Sequence, residues 1–180
     1  MFTRAILLFM TIISFSAYAD DTIVEEADGL SYVYTSYYEI TIDRNSAAIW
    51  PIVKNLPAWM YEFELSYVSG EKGAEGEVLR LYPGQEFFIQ VTKLIPEKLL
   101  AIVNSPSKFR GESSTGSAVI HLNERGNKTV VSLTMSRRYT WHGEGENPMK
   151  AMRKSAAFAE NAKAMWQEKF LGRLKELAEK

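Results

Sequence analysis

The chain contains no cysteine. Disulfides, thiol catalysis and a lipid-modified cysteine anchor are therefore excluded, and stability must come from an apolar core. Histidine is nearly as scarce, with only His121 and His142. No Cys, Asp or Glu at ligand spacing accompanies them, so no metal site is assigned. The chain also lacks an excess of either charge: 21 Lys and Arg stand against 22 Asp and Glu, a formal net charge of −1. Without a basic patch there is no expectation of a nucleic-acid partner. No apolar run reaches the roughly 20 residues of a bilayer span, so stable membrane insertion is not expected. Serine-elbow, dinucleotide, P-loop and metalloprotease motifs are all missing. No catalytic residue and no cofactor are assigned.

What is present begins with a leader. Arg4 supplies a positive start, residues 5–15 are apolar, and Ser16, Ala17, Tyr18 and Ala19 form a small-x-small cleavage pattern. This reads as a signal peptide over 1–19, cut after Ala19, and predicts a periplasmic or secreted protein. Residues 20–180 then read as one domain, 46% hydrophobic over the whole chain and long enough for a sizeable core.

The acidic residues 22–29 read as a loose lead-in. Residues 31–42 predict a long strand with Tyr32, Tyr34, Tyr38, Ile40 and Ile42 on one face. Asp43 to Ser46 offer helix caps, and two short helices follow, one through Trp50 and one near Trp59. Six further strands are predicted over 62–69, 77–82, 85–94, 98–104, 117–123 and 128–141, with residues 105–115 as a loop. A two- or four-residue loop around Pro83-Gly84 would place Arg80 beside Phe87, Ile89 and Val91. A four-residue loop at 124–127 sets Ala118 and Ile120 beside Leu133 and Met135, and that face continues through Arg137 and Tyr139.

Residues 149–180 close the chain. They hold no glycine or proline before Gly172 and are rich in helix formers. Met149, Met152, Phe158, Met165, Trp166, Phe170, Leu174 and Leu177 mark an apolar stripe at helical period. A helix of about 28 residues would span roughly 42 Å, so it must cross several strands. Short turns between successive strands imply an antiparallel sheet.

This order of elements, with the Ile40-x-Ile42-x5-Ala48-x-Trp50 junction, the Trp59-Met60 pair and the Met- and Trp-rich last helix, resembles the START-like superfamily, also called SRPBCC or polyketide cyclase/dehydrase-like. The resemblance covers residues 31–177. It implies an α+β helix-grip fold: a seven-stranded antiparallel sheet wrapped around a long C-terminal helix, with two short helices after the first strand. A lipocalin-type barrel fits less well, because such a barrel runs strand to strand without the early helices.

The resemblance further implies a deep apolar cavity between sheet and helix, and a small hydrophobic ligand, lipid-like or polyketide-like, as partner. Carried onto this chain, the ligand-facing candidates are Tyr67, Phe87, Ile89, Leu133, Met135, Tyr139, Met152 and Trp166. Flexible Met and large aromatic side chains suit such a site, though the same residues can fill a core. Arg80 and Arg137 each share the parity of an apolar face, where arginine is rarely found without a partner. Either could hold an anionic or carbonyl head group through its fork of donors. A bulge that flips parity, or pairing with Glu39 or Glu64, are the competing accounts. A periplasmic binding protein is the leading expectation. A cyclase- or dehydratase-type enzyme using the same cavity and an interaction module with a filled core are the alternatives.

Overall fold

The computed structural model describes residues 22–25, 31–109 and 111–180. The expected leader at 1–19 and its cleavage point lie outside these residues. The described strands form one antiparallel sheet in the order β1-β2-β8-β7-β6-β5-β4-β3. They are β1 (Thr22–Glu25), β2 (Ser31–Ile42), β3 (Ser66–Ser69), β4 (Val78–Arg80), β5 (Phe88–Ile95), β6 (Leu99–Phe109), β7 (Glu112–Arg125) and β8 (Lys128–Trp141). Helices α1 (Ser46–Lys54) and α2 (Leu56–Trp59) interrupt the order after β2. The C-terminal part consists of α3 (Pro148–Arg153), α4 (Ala156–Lys163), a π-helical stretch (Ala164–Leu171) and α5 (Gly172–Ala178). The seven strands β2 to β8 and the helix that crosses them make up the expected helix-grip fold.

Four local features differ from the sequence expectation. Residues 22–25 are not a loose lead-in: Thr-Ile-Val-Glu pairs with β2 from Thr22 opposite Thr35 to Glu25 opposite Tyr32, as β-branched residues favour. Residues 105–115 are mostly strand rather than loop. The β6–β7 ladder shifts register between Asn104 and Ser107, and that irregularity accommodates Pro106, which has no N–H to offer a regular ladder. Residues 61–63 form a 3-10 turn, and Glu64 takes a left-handed conformation with φ 47°, which delays β3 to Ser66. Finally, the C-terminal helix is not continuous from Met149. Ser155 breaks it and caps α4 by accepting the Phe158 N–H at 3.2 Å.

The core lies between the sheet and the C-terminal helices. Ile42, Ile49, Val53, Leu56, Trp59, Leu133, Phe170 and Leu174 are fully or almost fully buried there. The π-helical stretch repeats i to i+5, so Trp166 and Leu171 both turn inward together with Phe170. Phe170 packs on Phe63 at 4.9 Å and Trp166 at 5.1 Å between ring centroids. This filled region occupies the end of the grip near α1, α2 and α5. A separate cluster of Tyr32, Tyr34 and Tyr139, packed with Phe158, sits at the other end under α4.

Candidate functional site

Between the filled core and the tyrosine cluster the sheet and helix do not meet. A cavity of about 530 Å³ remains. Its floor comes from alternate residues of two neighbouring strands: Tyr34, Ser36 and Tyr38 of β2, and Met135, Arg137 and Tyr139 of β8. The register sets Tyr34 opposite Arg137 and Ser36 opposite Met135. Period-two alternation therefore delivers all six to one side. Phe158, Met165 and Trp166 form the roof, and Leu81 and Phe87 close a side wall. Exposed Tyr82, Gln85 and Asn161 stand at the rim. A smaller pocket of about 40 Å³ continues beneath, between Ile89, Ile102 and Ala118, and shares Met135, Arg137 and Trp166 with the main cavity.

The structure thus brings together Phe87, Ile89, Met135, Arg137, Tyr139 and Trp166 of the sequence candidates. The other four lie elsewhere. Leu133 is 1% exposed and packed within the closed core. Met152 is 47% exposed, because α3 turns Met149 and Arg153, four residues apart, toward the protein and leaves Met152 outside. Tyr67 lies on the edge strand β3, where every residue is exposed. It borders a separate surface groove with Pro51, Lys54 and Pro57. Arg80 faces away from the cavity. Leu79 pairs with Ile89 and Arg80 with Phe88, and the Leu81 N–H donates to the Phe87 carbonyl at 2.8 Å. Five residues, 82–86, therefore separate the paired positions. An odd loop reverses the parity that a two- or four-residue loop would give. Gly84, with φ 81°, supplies one of the left-handed positions this loop needs.

Among the described residues two cations line the cavity, Arg137 and Arg153, and no Asp or Glu does. They differ in what surrounds them. Arg153 is paired through Nη1. Its Nη1 donates to Tyr32 Oη at 2.7 Å and to Glu112 Oε1. Its guanidinium lies 3.7 Å from the centroid of the Tyr139 ring, in cation–π contact. Glu112 is itself 3% exposed and also accepts from Asn147 Nδ2 at 3.3 Å. Burial pushes the Tyr32 phenol up to about 12, against the Arg153 hydrogen bond and charge. Arg137 has no hydrogen-bond or ion-pair partner among the described residues. Neither Glu39 nor Glu64 reaches it: Glu39 accepts instead from Tyr37 Oη at 2.6 Å. The Arg137 charge is felt at the rim, where burial raises the Tyr82 pKa and Arg137 opposes the rise.

Sequence reasoning missed Tyr34, Ser36, Tyr38, Phe158, Met165 and Arg153 as cavity residues. The β2 residues carried a signal, since all share the parity of Tyr32 and Ile42. Arg153 carried a weaker one in its four-residue step from Met149.

His121 pairs with Ser132 across β7–β8 and is exposed. His142 Nε2 lies 2.8 Å from Ser113 Oγ, also at the surface. No group of three or more metal-ligating side chains occurs among the described residues. None of their helices is long and apolar enough to cross a membrane.

An antiparallel sheet, two short helices after the first long strand and a C-terminal helix over an apolar cavity define a helix-grip protein. Solved structures share this fold. The chain is similar to truncated norcoclaurine synthase from Thalictrum flavum, with 12% identity and a TM-score of 0.53 over 86% of this chain and 97% of that one. It is similar to Ara h 8.0201, with 12% identity and a TM-score of 0.53 over 81% and 97% of the two chains. DynU16, from the dynemicin biosynthetic locus, matches at 16% identity with a TM-score of 0.51 over 79% of this chain, which spans 46% of the DynU16 chain. No family model and no curated protein matches the sequence. Identities this low establish the shared fold and nothing finer.

Proposed function

We propose that this protein is an exported binding protein that holds a small, mainly apolar molecule in the cavity under α4 and the π-helical stretch. The observation that carries the reading is the cavity itself. Its volume of about 530 Å³ falls within the range typical of small-molecule sites. A fold of this size usually closes its core to crystal-like density, leaving few voids larger than a water molecule. Met135 and Met165 give the walls an adaptable apolar surface. The leader at residues 1–19 supports the exported part of the reading.

Two experiments test it. The protein is expressed with its leader in a bacterial host, recovered from the periplasmic fraction and analysed by native mass spectrometry. A mature chain beginning at Asp20 and carrying a stoichiometric adduct, identified after organic extraction, is expected. Retention of residues 1–19 would defeat the export reading. The cavity is tested with a neutral fluorescent probe, N-phenyl-1-naphthylamine. Saturable binding that Ala162→Trp abolishes is expected, since Ala162 lines the cavity. Absence of any binding, or binding unchanged by that substitution, would refute the cavity as the site.

A further inference from the structure

Resting on the cavity-binding reading, we infer that the ligand is an amphipathic monocarboxylate whose carboxylate is held by Arg137. Three observations point to it. First, the charges lining the cavity do not balance. Of the two arginines, Arg153 is neutralised by buried Glu112, and Arg137 has no counter-ion among the described residues. Arg137 is half-buried, and a partly desolvated arginine without a partner is stabilised when an anion pairs with it. Second, Ser36 lines the same cavity one strand away and diagonal to Arg137. It is 0% exposed, and its hydroxyl has no hydrogen-bond partner among the described residues. Buried polar groups left unsatisfied are uncommon and call for an explanation. Third, Arg137 lies at the waist between the main cavity and the small pocket beneath. A head group bound there is inside the protein, and the apolar body extends under Met165 and Trp166.

The chemistry selects the head group. One uncompensated guanidinium balances one negative charge, and its planar fork matches a carboxylate bidentately. A phosphate monoester, with close to two charges, would leave the site net negative. A neutral carbonyl or hydroxyl would accept a hydrogen bond but leave the arginine charge unbalanced.

The test compares dodecanoate, dodecan-1-ol and dodecylamine by displacement of N-phenyl-1-naphthylamine from the mature protein. Dodecanoate is expected to bind at least tenfold more tightly than dodecan-1-ol, and dodecylamine more weakly than either. In Arg137→Met the advantage of dodecanoate over the alcohol should fall to within about twofold, because the acid loses far more affinity than the alcohol. Ser36→Ala should weaken dodecanoate by a few-fold more than it weakens the alcohol. That variant should melt no lower than the parent, because it removes an unsatisfied buried hydroxyl rather than a bond. It therefore keeps the inference testable if Arg137→Met folds poorly. Equal affinity for acid and alcohol, or a preference for acid that survives Arg137→Met, overturns the carboxylate assignment while leaving cavity binding intact. Failure of all three ligands to displace a probe that does bind the cavity overturns the assignment too. Failure of the probe itself to bind overturns both readings.

Discussion

Gly116 lies directly opposite Arg137 in the β7–β8 ladder, and it leaves the space that the arginine stem occupies. A Cβ at position 116 would come within 2.8 Å of Arg137 Cγ, 2.8 Å of Asn104 Oδ1 and 2.9 Å of the Ser136 carbonyl oxygen. The Ser136 contact is to backbone, so rotating a side chain does not relieve it. Gly116→Ala should therefore strain the sheet at the cavity floor. A destabilisation of about 1–3 kcal/mol is expected, as for other overpacked sites. A lower urea midpoint at unchanged m-value would show it; an unchanged midpoint would contradict the crowding.

The ion pair between Arg153 and Glu112 anchors α3 to β7. Arg153→Met removes the only cation that, among the described residues, pairs with a carboxylate that is 3% exposed. Breaking one partner of a buried pair costs about 3–5 kcal/mol. The double variant Arg153→Met, Glu112→Leu should recover much of that loss, because no buried charge remains. Chemical denaturation of the two variants checks this; a double variant no more stable than the single would count against it.

Glu124 holds the start of α1. Its Oε2 accepts from Ser46 Oγ at 2.7 Å and from the Ser46 N–H at 2.8 Å. These side-chain and backbone hydrogen bonds hold the Glu124 pKa below its ordinary value. A depressed folded-state pKa contributes stability that is present above the unfolded pKa, about 4.3 for glutamate. That stability is lost as pH falls through the folded value. Glu124→Gln cannot titrate. Parent and variant should differ in melting temperature near neutral pH and converge as pH drops below the carboxylate range. A gap that stays constant with pH would show that Glu124 contributes nothing through its charge.

Ser155 makes the junction between α3 and α4. Its Oγ accepts from the Phe158 N–H at 3.2 Å and donates to the Met152 carbonyl at 2.6 Å. Ser155→Ala should lower stability by about 0.5–2 kcal/mol, the usual loss for an N-cap, and Ser155→Asp should restore most of it. Thermal melts followed by circular dichroism at the helix signal compare them. Alanine and aspartate variants melting together would remove the cap from the account.

Much of the architecture was legible in the residues alone. Alternation in β2 and β8 assigned their inner faces, because a strand's period of two leaves no other choice once one face is apolar. The strands, the early pair of helices and the final helical stripe set the order of elements on which the resemblance to a helix-grip fold rests, and the absence of cysteine leaves that fold to depend on an apolar core. The placement of the two arginines was decided only by tertiary structure. Arg80 and Arg137 obeyed the same parity rule on paper. At the β7–β8 hairpin the observed loop has two residues rather than four, between Arg125 and Lys128; both are even, so Arg137 stays inside. At β4–β5 the loop has five residues, so Arg80 turns outward. Loop length at that hairpin depends on how the backbone closes around Gly84, which hydrophobic pattern does not encode. Likewise the partnership of Arg153 with Glu112 spans 41 residues, and only the folded sheet brings them together. The sequence determined which side chains are apolar enough to enclose a cavity. The tertiary structure decided which of them leave it empty, because a void arises where packed elements fail to meet and not from any single residue.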